Sequence, residues 1–363
     1  MSLKEKNILF FTRTMALGGT ENVILQMCEI LKPHVNKIVV CSCGGVNVNK
    51  LKKMGIKHYE IPDIDCKSPK VLAQVFYKVY KIIRDEKISI VHTHHRMATF
   101  YMHFLKSVHN VKVISTLHGC FSDKKIFTKM IYKDIDIIAC GSIVKDVFVK
   151  SYNINEKKVA VIHNAVKREN QKSIDFGIDK VRLKSSKKIA YIGRLADEKG
   201  VNLLIQAMPI ILKSIKNSCL IIVGDGPLRT ELENEAKELN VDKSVFFLGY
   251  YDKIQNIIQQ VDLVVLPSYT EGLPLTPIEA FAYGKPVVAT AAGGTVEIVE
   301  DNKNGFLVPV GSIDILAKKI QEVLKDDKLY KQMCIEAKKS YEKEYTFEVF
   351  KNKILEYYKM IVK

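Results

Sequence analysis

Arg194 and Lys199 stand in GRLADEKG (193–200), immediately after an apolar, strand-like run. Two cations at the carboxyl end of a strand suit a diphosphate: arginine offers a planar fork of donors, lysine a compact charge. The plainer reading is two solvated surface cations. A second segment, EGLPLTPIEA (271–280), follows another strand-like run and opens a helix. Thr276, Pro277 and Glu279 match a capping box with proline at the first helical position. That would fold the Glu279 side chain back onto a backbone N–H. It leaves Glu271, a carboxylate in a Gly/Pro loop, unexplained. N–H groups near Leu275 and Thr276 would meet a phosphate at the helix start. Glu279, one turn on, could reach a ribose diol, as acidic residues do in dinucleotide folds. Together these residues describe a nucleotide-diphosphate site with a polar pocket beside it.

Other loops carry weaker signals. TRTMALGGTEN (12–22) brings Gly18 and Gly19 to the start of a helix, where backbone could approach an anion; an ordinary tight turn fits as well. GDGPLR (224–229) is first of all a turn, and AAGGTVEIVEDNKNG (291–305) adds a Gly-Gly pair and an Asn-Gly turn. His118, followed by Gly119, lies at a strand end and is either structural or a ligand contact. Two patterns mislead. Asp134-Ile135-Asp136 has the form of the DxD motif of metal-dependent sugar transferases, but Asp136 starts a strand. His92, His94 and His95 resemble a metal cluster but have no matching carboxylate motif, so no metal is expected.

Short β-branched runs position these loops: 7–12, 37–42, 88–93, 111–116, 136–141 and 158–163, then 188–193, 219–224, 244–249, 262–267, 286–290 and 305–310. Helical patterns lie between many of them. The clearest covers 68–86, with Ser68 as N-cap, Pro69 at the first position and Val71, Leu72, Val75, Phe76, Val79, Ile82 and Ile83 on one stripe. Alternating strands and helices predict parallel sheets covered on both faces. The polar stretch 166–186 reads as a linker between a first domain, 1–165, and a second, 187–340. A final helix, 341–363, is expected to return to the first domain. Ligands of such sheets bind beyond the carboxyl ends of the strands, so two α/β domains facing a central cleft would place the chemistry in that cleft.

A chain of 363 residues is long enough for about two domains with cores of their own. No apolar run approaches the about 18 residues that span a bilayer. No signal peptide is evident, and the eight scattered cysteines read as reduced, so a cytoplasmic protein is expected. Residues 1–165 hold 26 Lys+Arg against 13 Asp+Glu, the remainder 30 against 27, so the first half carries most of the net charge of +16. An anionic partner for that half follows, unless the lysines are merely solvated.

GRLADEKG, IIVGDGPLR, FFLGY and DLVVLPSYTEGLPLTPIEAFAYGKPVVAT, with the later GG, E and NG, resemble the retaining GT-B glycosyltransferases of family 4. The likeness is dense over about 189–310; in the first domain GGTEN and His118-Gly119 fit it. It implies two Rossmann-like, open parallel-sheet α/β domains and a nucleotide-sugar donor, expected to be a UDP-sugar. Arg194 and Lys199 would hold the diphosphate, Glu279 the ribose, and Glu271 and His118 the donor sugar. Gly18, Gly19, Gly193, Gly224, Tyr250, Leu273, Pro274, Leu275 and Thr276 would complete the donor site. The resemblance implies no metal and no cofactor, with same-face attack and the leaving phosphate taking the acceptor's proton.

Residues 121–133 (FSDKKIFTKMIYK) place Ile126, Phe127, Met130 and Ile131 on one helical face, flanked by Lys124, Lys125, Lys129 and Lys133. This is the composition of an interfacial helix on an anionic leaflet, which suggests peripheral attachment to the cytoplasmic face of a bacterial membrane. The acceptor would then be a glycan or lipid-linked sugar of a cell-surface polysaccharide or glycolipid. A helix packed on the sheet with lysines outside competes. The rival functions are a GT-B epimerase or phosphorylase and a basic nucleic-acid-binding protein. The last lacks RNA-binding motifs, zinc spacing and a recognition helix, so no nucleic acid is expected. Glu271→Ala and Arg194→Ala are expected to leave a folded protein whose transfer rate falls at least about tenfold, or ~1.4 kcal/mol. Unchanged turnover in both would remove these residues from the site.

Overall fold

A computed structural model of the chain describes residues 2–120, 123–169 and 187–362. The chain divides into two compact units, Met1–Asn164 with Glu348–Lys363, and Ala165–Phe347. Most of the 166–186 stretch read as a linker lies outside the described residues, as do Phe121 and Ser122.

The first unit holds strands β1 (Asn7–Phe11), β2 (Lys37–Ser42), β3 (Lys57–Glu60), β4 (Ile90–Thr93), β5 (Lys112–Leu117), β6 (Asp136–Ala139) and β7 (Val159–Val161). They form one parallel sheet in the order β3-β2-β1-β4-β5-β6-β7. Interior strands are buried nearly throughout, as a parallel sheet covered on both faces requires. β3 escapes the apolar-run criterion because it is an edge strand, KHYE, that pairs with β2 alone. Its Lys57 and Tyr59 both bond Glu86, and Lys37 reaches the same carboxylate at 2.8 Å. These donors bring the Glu86 pKa down to about 2.

The helix Pro69–Asp85 has the expected cap, with Ser68 Oγ accepting from the Val71 N–H at 3.3 Å. Val75, Val79, Ile82 and Ile83 are its buried stripe; Val71, Leu72 and Phe76 are partly covered. Asp136 opens β6 and pairs with Lys112. The C-terminal stretch breaks at Tyr345–Thr346, where Thr346 bridges Val166. The helix Phe347–Ile361 beyond it buries Tyr358, whose hydroxyl lies 2.6 Å from His92 Nδ1 in the first unit.

The amphipathic reading of 121–133 needs correction. The helix runs Lys125–Tyr132 and packs Thr128, Ile131 and Tyr132 inward, with the Phe127 ring 5.5 Å from Phe100. Ile126, 88% exposed, and Met130 point outward, so the four apolar residues do not share one face.

The second unit holds β8 (Lys187–Ile192), β9 (Ser218–Val223), β10 (Val245–Gly249), β11 (Leu263–Leu266), β12 (Val287–Thr290) and β13 (Gly305–Val308), parallel in the order β10-β9-β8-β11-β12-β13. Counted within the unit this is the 3-2-1-4-5-6 order of a doubly wound sheet. Its strand order reverses between β8 and β11, so the loops after these strands flank the switch point where such folds bind ligands. In the first unit the corresponding point lies between β1 and β4.

Candidate functional site

In the second unit the loop after β8 runs through Gly193 and Arg194 to a short turn, Asp197–Lys199, and the helix Val201–Ser214. The loop after β11 carries Ser268 and Glu271 and leads into the helix Leu275–Ala282. The two loops are tied together at their charged residues. Lys199 Nζ lies 2.7 Å from Glu271 Oε1, and Ser268 Oγ donates to the same oxygen at 2.7 Å. Glu271 is 7% exposed and Lys199 25%, so the pair is largely desolvated. Removing either partner would strand a charge of low solvent access, which costs more than losing a surface pair. Arg194 is 66% exposed and pairs with Glu198, an interaction of small net strength. Lys199 is therefore not a solvated cation, and Arg194 can leave its partner cheaply. Both predicted diphosphate cations already face a carboxylate, so backbone donors must supply much of any anion's stabilisation.

Such donors are close by. The helix Leu275–Ala282 begins after Pro274, and no side chain caps it. The capping-box reading is overturned: the helix starts earlier than the box requires, and Thr276 Oγ1 donates instead to the carbonyl of Ile192 at 3.2 Å. That bond sets the helix start against the end of β8, beside Gly193. Leu273 and Pro274 are buried and hold the entry to the helix, while Leu275 and Thr276 are partly exposed. Glu279, released from the cap, is partly buried and makes no hydrogen bond or ion pair among the described residues. Desolvation pushes its pKa up to about 7. A hydroxyl pair donating to this carboxylate would stabilise its charged form.

Two glycines let neighbouring loops close on the site. Gly224 has φ +133°, and a Cβ there would lie 1.9 Å from the Gly193 carbonyl oxygen. Gly293 has φ +49°, and its Cβ would lie 1.9 Å from the Glu271 carbonyl oxygen. The Gly-Gly pair at 293–294, given little weight in the sequence, thus buttresses the Glu271 loop; Gly294 N–H also donates to Gly272 at 2.8 Å. Tyr191 lies within the strand-like run 188–193 and is not singled out by the sequence. Its buried hydroxyl donates to the Arg194 carbonyl at 2.8 Å and steadies that loop. A buried tyrosine needs such a partner, which is the one signal that could have marked it. Ser268 offered no signal beyond being a small polar residue after a strand. Tyr250, after edge strand β10, is 57% exposed and touches none of these residues through the bonds described.

In the first unit, Gly18 and Gly19 are exposed at the start of the helix Gly19–Leu31. The Glu21 carboxylate folds back over this start: Thr14 Oγ1 donates to it at 2.6 Å, and a Cβ on Gly18 would meet its Oε2 at 2.4 Å. A negative group thus already occupies the end expected to receive an anion. His118 follows β5 and is partly exposed, with Nε2 2.9 Å from Nδ1 of buried His94. His92 bonds Tyr358 and, at 2.7 Å, Thr116. His95 caps the helix Arg96–His109 through the Met97 N–H. The three histidines thus serve hydrogen bonds, and no group of metal-ligating side chains gathers among the described residues.

Residues 175–340 match the family described as glycosyl transferases group 1, and residues 17–170 match glycosyltransferase family 4. The UDP-Gal:alpha-D-GlcNAc-diphosphoundecaprenol alpha-1,3-galactosyltransferase of Escherichia coli is 28% identical over 336 residues, 86% of this chain and 86% of its own length. Among solved structures, a glycosyltransferase from Rickettsia africae matches with a TM-score of 0.84 at 24% identity, over 99% of each chain. Anabaena HepE in complex with UDP matches with a TM-score of 0.84 at 21% identity, over 97% of this chain and 99% of its own.

Glu279 makes a prediction independent of any ligand. Its pKa rises on folding from 4.5 to about 7, so the folded state is favoured with the carboxyl protonated and loses stability as pH climbs through about 7. Glu279→Gln should therefore raise Tm at pH 8 and change it little near pH 4.5. An equal change at both pH values would mean that charge burial is not the cause.

Proposed function

We propose that this chain, which belongs to the group 1 glycosyltransferases of the GT-B fold, moves a sugar from a UDP-sugar to a glycan or lipid-linked acceptor, with retention and without a metal. The observation that carries the reading is the β8/β11 switch point of the second unit. There the loops after β8 and β11 and the helix that follows supply an ion pair, an uncapped helix start and an unpartnered carboxylate, the kinds of group that suit a diphosphate and a ribose. The E. coli relative is named for UDP-Gal and a diphosphoundecaprenol-linked acceptor, and HepE was solved with UDP, which supports the donor and acceptor classes.

In this reading Glu279 accepts from the ribose hydroxyls. The N–H groups of Leu275 and Thr276 and the Arg194 fork hold the diphosphate, and Lys199 lends its remaining donors while still bound to Glu271. The bond from the sugar's anomeric carbon to the phosphate oxygen breaks, and negative charge grows on that oxygen, where fixed donors stabilise it most. The acceptor hydroxyl adds to the same face of that carbon, and its proton passes to the leaving phosphate. The second Glu271 oxygen, Oε2, makes no bond among the described residues and is assigned to a sugar hydroxyl. From the first unit, Gly18, Gly19 and His118 serve the sugar rather than the phosphate, since Glu21 already neutralises the helix start near the glycines.

The same reading places the chain on the cytoplasmic face of a membrane, in cell-surface polysaccharide or glycolipid synthesis. No helix among the described residues is long and apolar enough to cross a membrane. Three adjoining helices of the first unit nevertheless leave apolar side chains outside: Tyr77 and Tyr80, Phe104 and Val108, Ile126 and Met130. Exposed Lys124, Lys125, Lys129 and Lys133 border the last pair and form no ion pair among the described residues. Each such lysine adds about 1 kcal/mol at an anionic surface.

Of UDP-glucose, UDP-galactose and UDP-N-acetylglucosamine, at least one at about 1 mM should raise Tm by several degrees, as a ligand in excess of its Kd does. No shift with any nucleotide-sugar would overturn the donor assignment. On phosphatidylglycerol vesicles at low salt the protein should sediment, and Ile126→Asp/Met130→Asp should release at least half of it. Binding that neither this variant nor high salt weakens would refute the membrane surface.

A further inference from the structure

His94 follows β4 and His118 follows β5, on adjacent parallel strands in which Thr93 pairs with Ser115. Their bond, Nδ1 of His94 to Nε2 of His118 at 2.9 Å, requires one N–H and one lone pair. His94 is 4% exposed, and its other nitrogen, Nε2, is buried with no hydrogen-bond partner among the described residues. The ring packs against His92 at 4.5 Å between centroids, Phe10 at 5.6 Å and His118 at 5.2 Å, and no acceptor among the described residues lies within hydrogen-bond distance of Nε2.

The proton count follows from this. If His118 donated through Nε2, neutral His94 would have to carry its own proton on Nε2, leaving a buried N–H with nothing to accept it. If His94 donates through Nδ1, its Nε2 is only an unused lone pair, which a protein interior tolerates better than an orphaned N–H. Protonating His94 on both nitrogens would bury an unpaired charge beside two other imidazoles. His92 imposes no opposite demand, since both of its partners, Tyr358 and Thr116, are hydroxyls that can donate or accept.

We infer that His94 is a positioning residue that fixes His118 as a neutral imidazole with its proton on Nδ1. His118 Nδ1 makes no hydrogen bond among the described residues, so His118 meets a ligand as a donor only. This rests on the proposed transferase reading for what the ligand is, and deepens it. A donor-only His118 can grip a sugar oxygen but cannot take the acceptor's proton, which leaves that proton to the departing phosphate.

The test needs no substrate. In the full-length protein labelled with 15N-histidine, long-range 1H–15N correlation at pH 7.5 should show His118, assigned through His118→Gln, protonated at Nδ1 and bare at Nε2. His94→Leu should abolish that preference in favour of the Nε2–H form favoured by an unconstrained histidine side chain. His94→Asn, which keeps an N–H where Nδ1 was, should restore it. An Nε2–H tautomer in the unaltered protein, or an Nδ1–H tautomer that survives His94→Leu, would overturn the inference. Failure of nucleotide-sugar binding would overturn the transferase reading alone, because the tautomer is read without ligand.

Discussion

The second unit depends on one constraint: Lys199 and Glu271, from the loops after β8 and β11, must stay joined where both have lost most of their water. Each is the other's main compensation for burial, with Ser268 completing the coordination of Glu271 Oε1. A pair of this kind adds little to net stability compared with an apolar pair, but it strongly penalises arrangements in which the loops separate. The switch point of the sheet is therefore held in one geometry before any ligand arrives. Pre-set donors of this sort do not have to reorganise as charge develops on a leaving group.

The surrounding structure serves that geometry. Gly224 and Gly293 admit neighbouring backbone where a side chain would collide, and the Tyr191 and Thr276 hydroxyls bind carbonyls along the β8 loop. Glu279 carries the opposite burden. It sits desolvated and unpartnered, a state that costs free energy at neutral pH and marks a group kept for something other than folding. The first unit repeats the pattern with histidines in place of an ion pair: Tyr358, from the last helix, bonds His92, which stacks on His94, which bonds His118.

Much of this was legible in the residues. Parallel strands buried on both faces leave continuous apolar runs, so twelve of the thirteen strands among the described residues could be read, and the loops after them held Arg194, Lys199, Glu271 and Glu279. What escaped depended on partners distant in sequence. β3 is polar because it lies at an edge, and Glu86, far along the chain, supplies its bonds. The cap at Thr276 looked local, but the hydroxyl acts as a donor, to the carbonyl of Ile192, 84 residues away. Ile131 and Ile126 look alike in a helical stripe, yet the packing of Tyr132 and Phe127 turns one inward and leaves the other outside. His94 resembled a stray metal ligand until its neighbour across the sheet was known to be His118.

In a crystal structure of the protein with UDP, the diphosphate should lie against Arg194, Lys199 and the N–H groups of Leu275 and Thr276, with the ribose on Glu279 and the Lys199–Glu271 contact unbroken. Diphosphate density away from the β8 and β11 loops, or a Lys199 that has left Glu271, would contradict this arrangement.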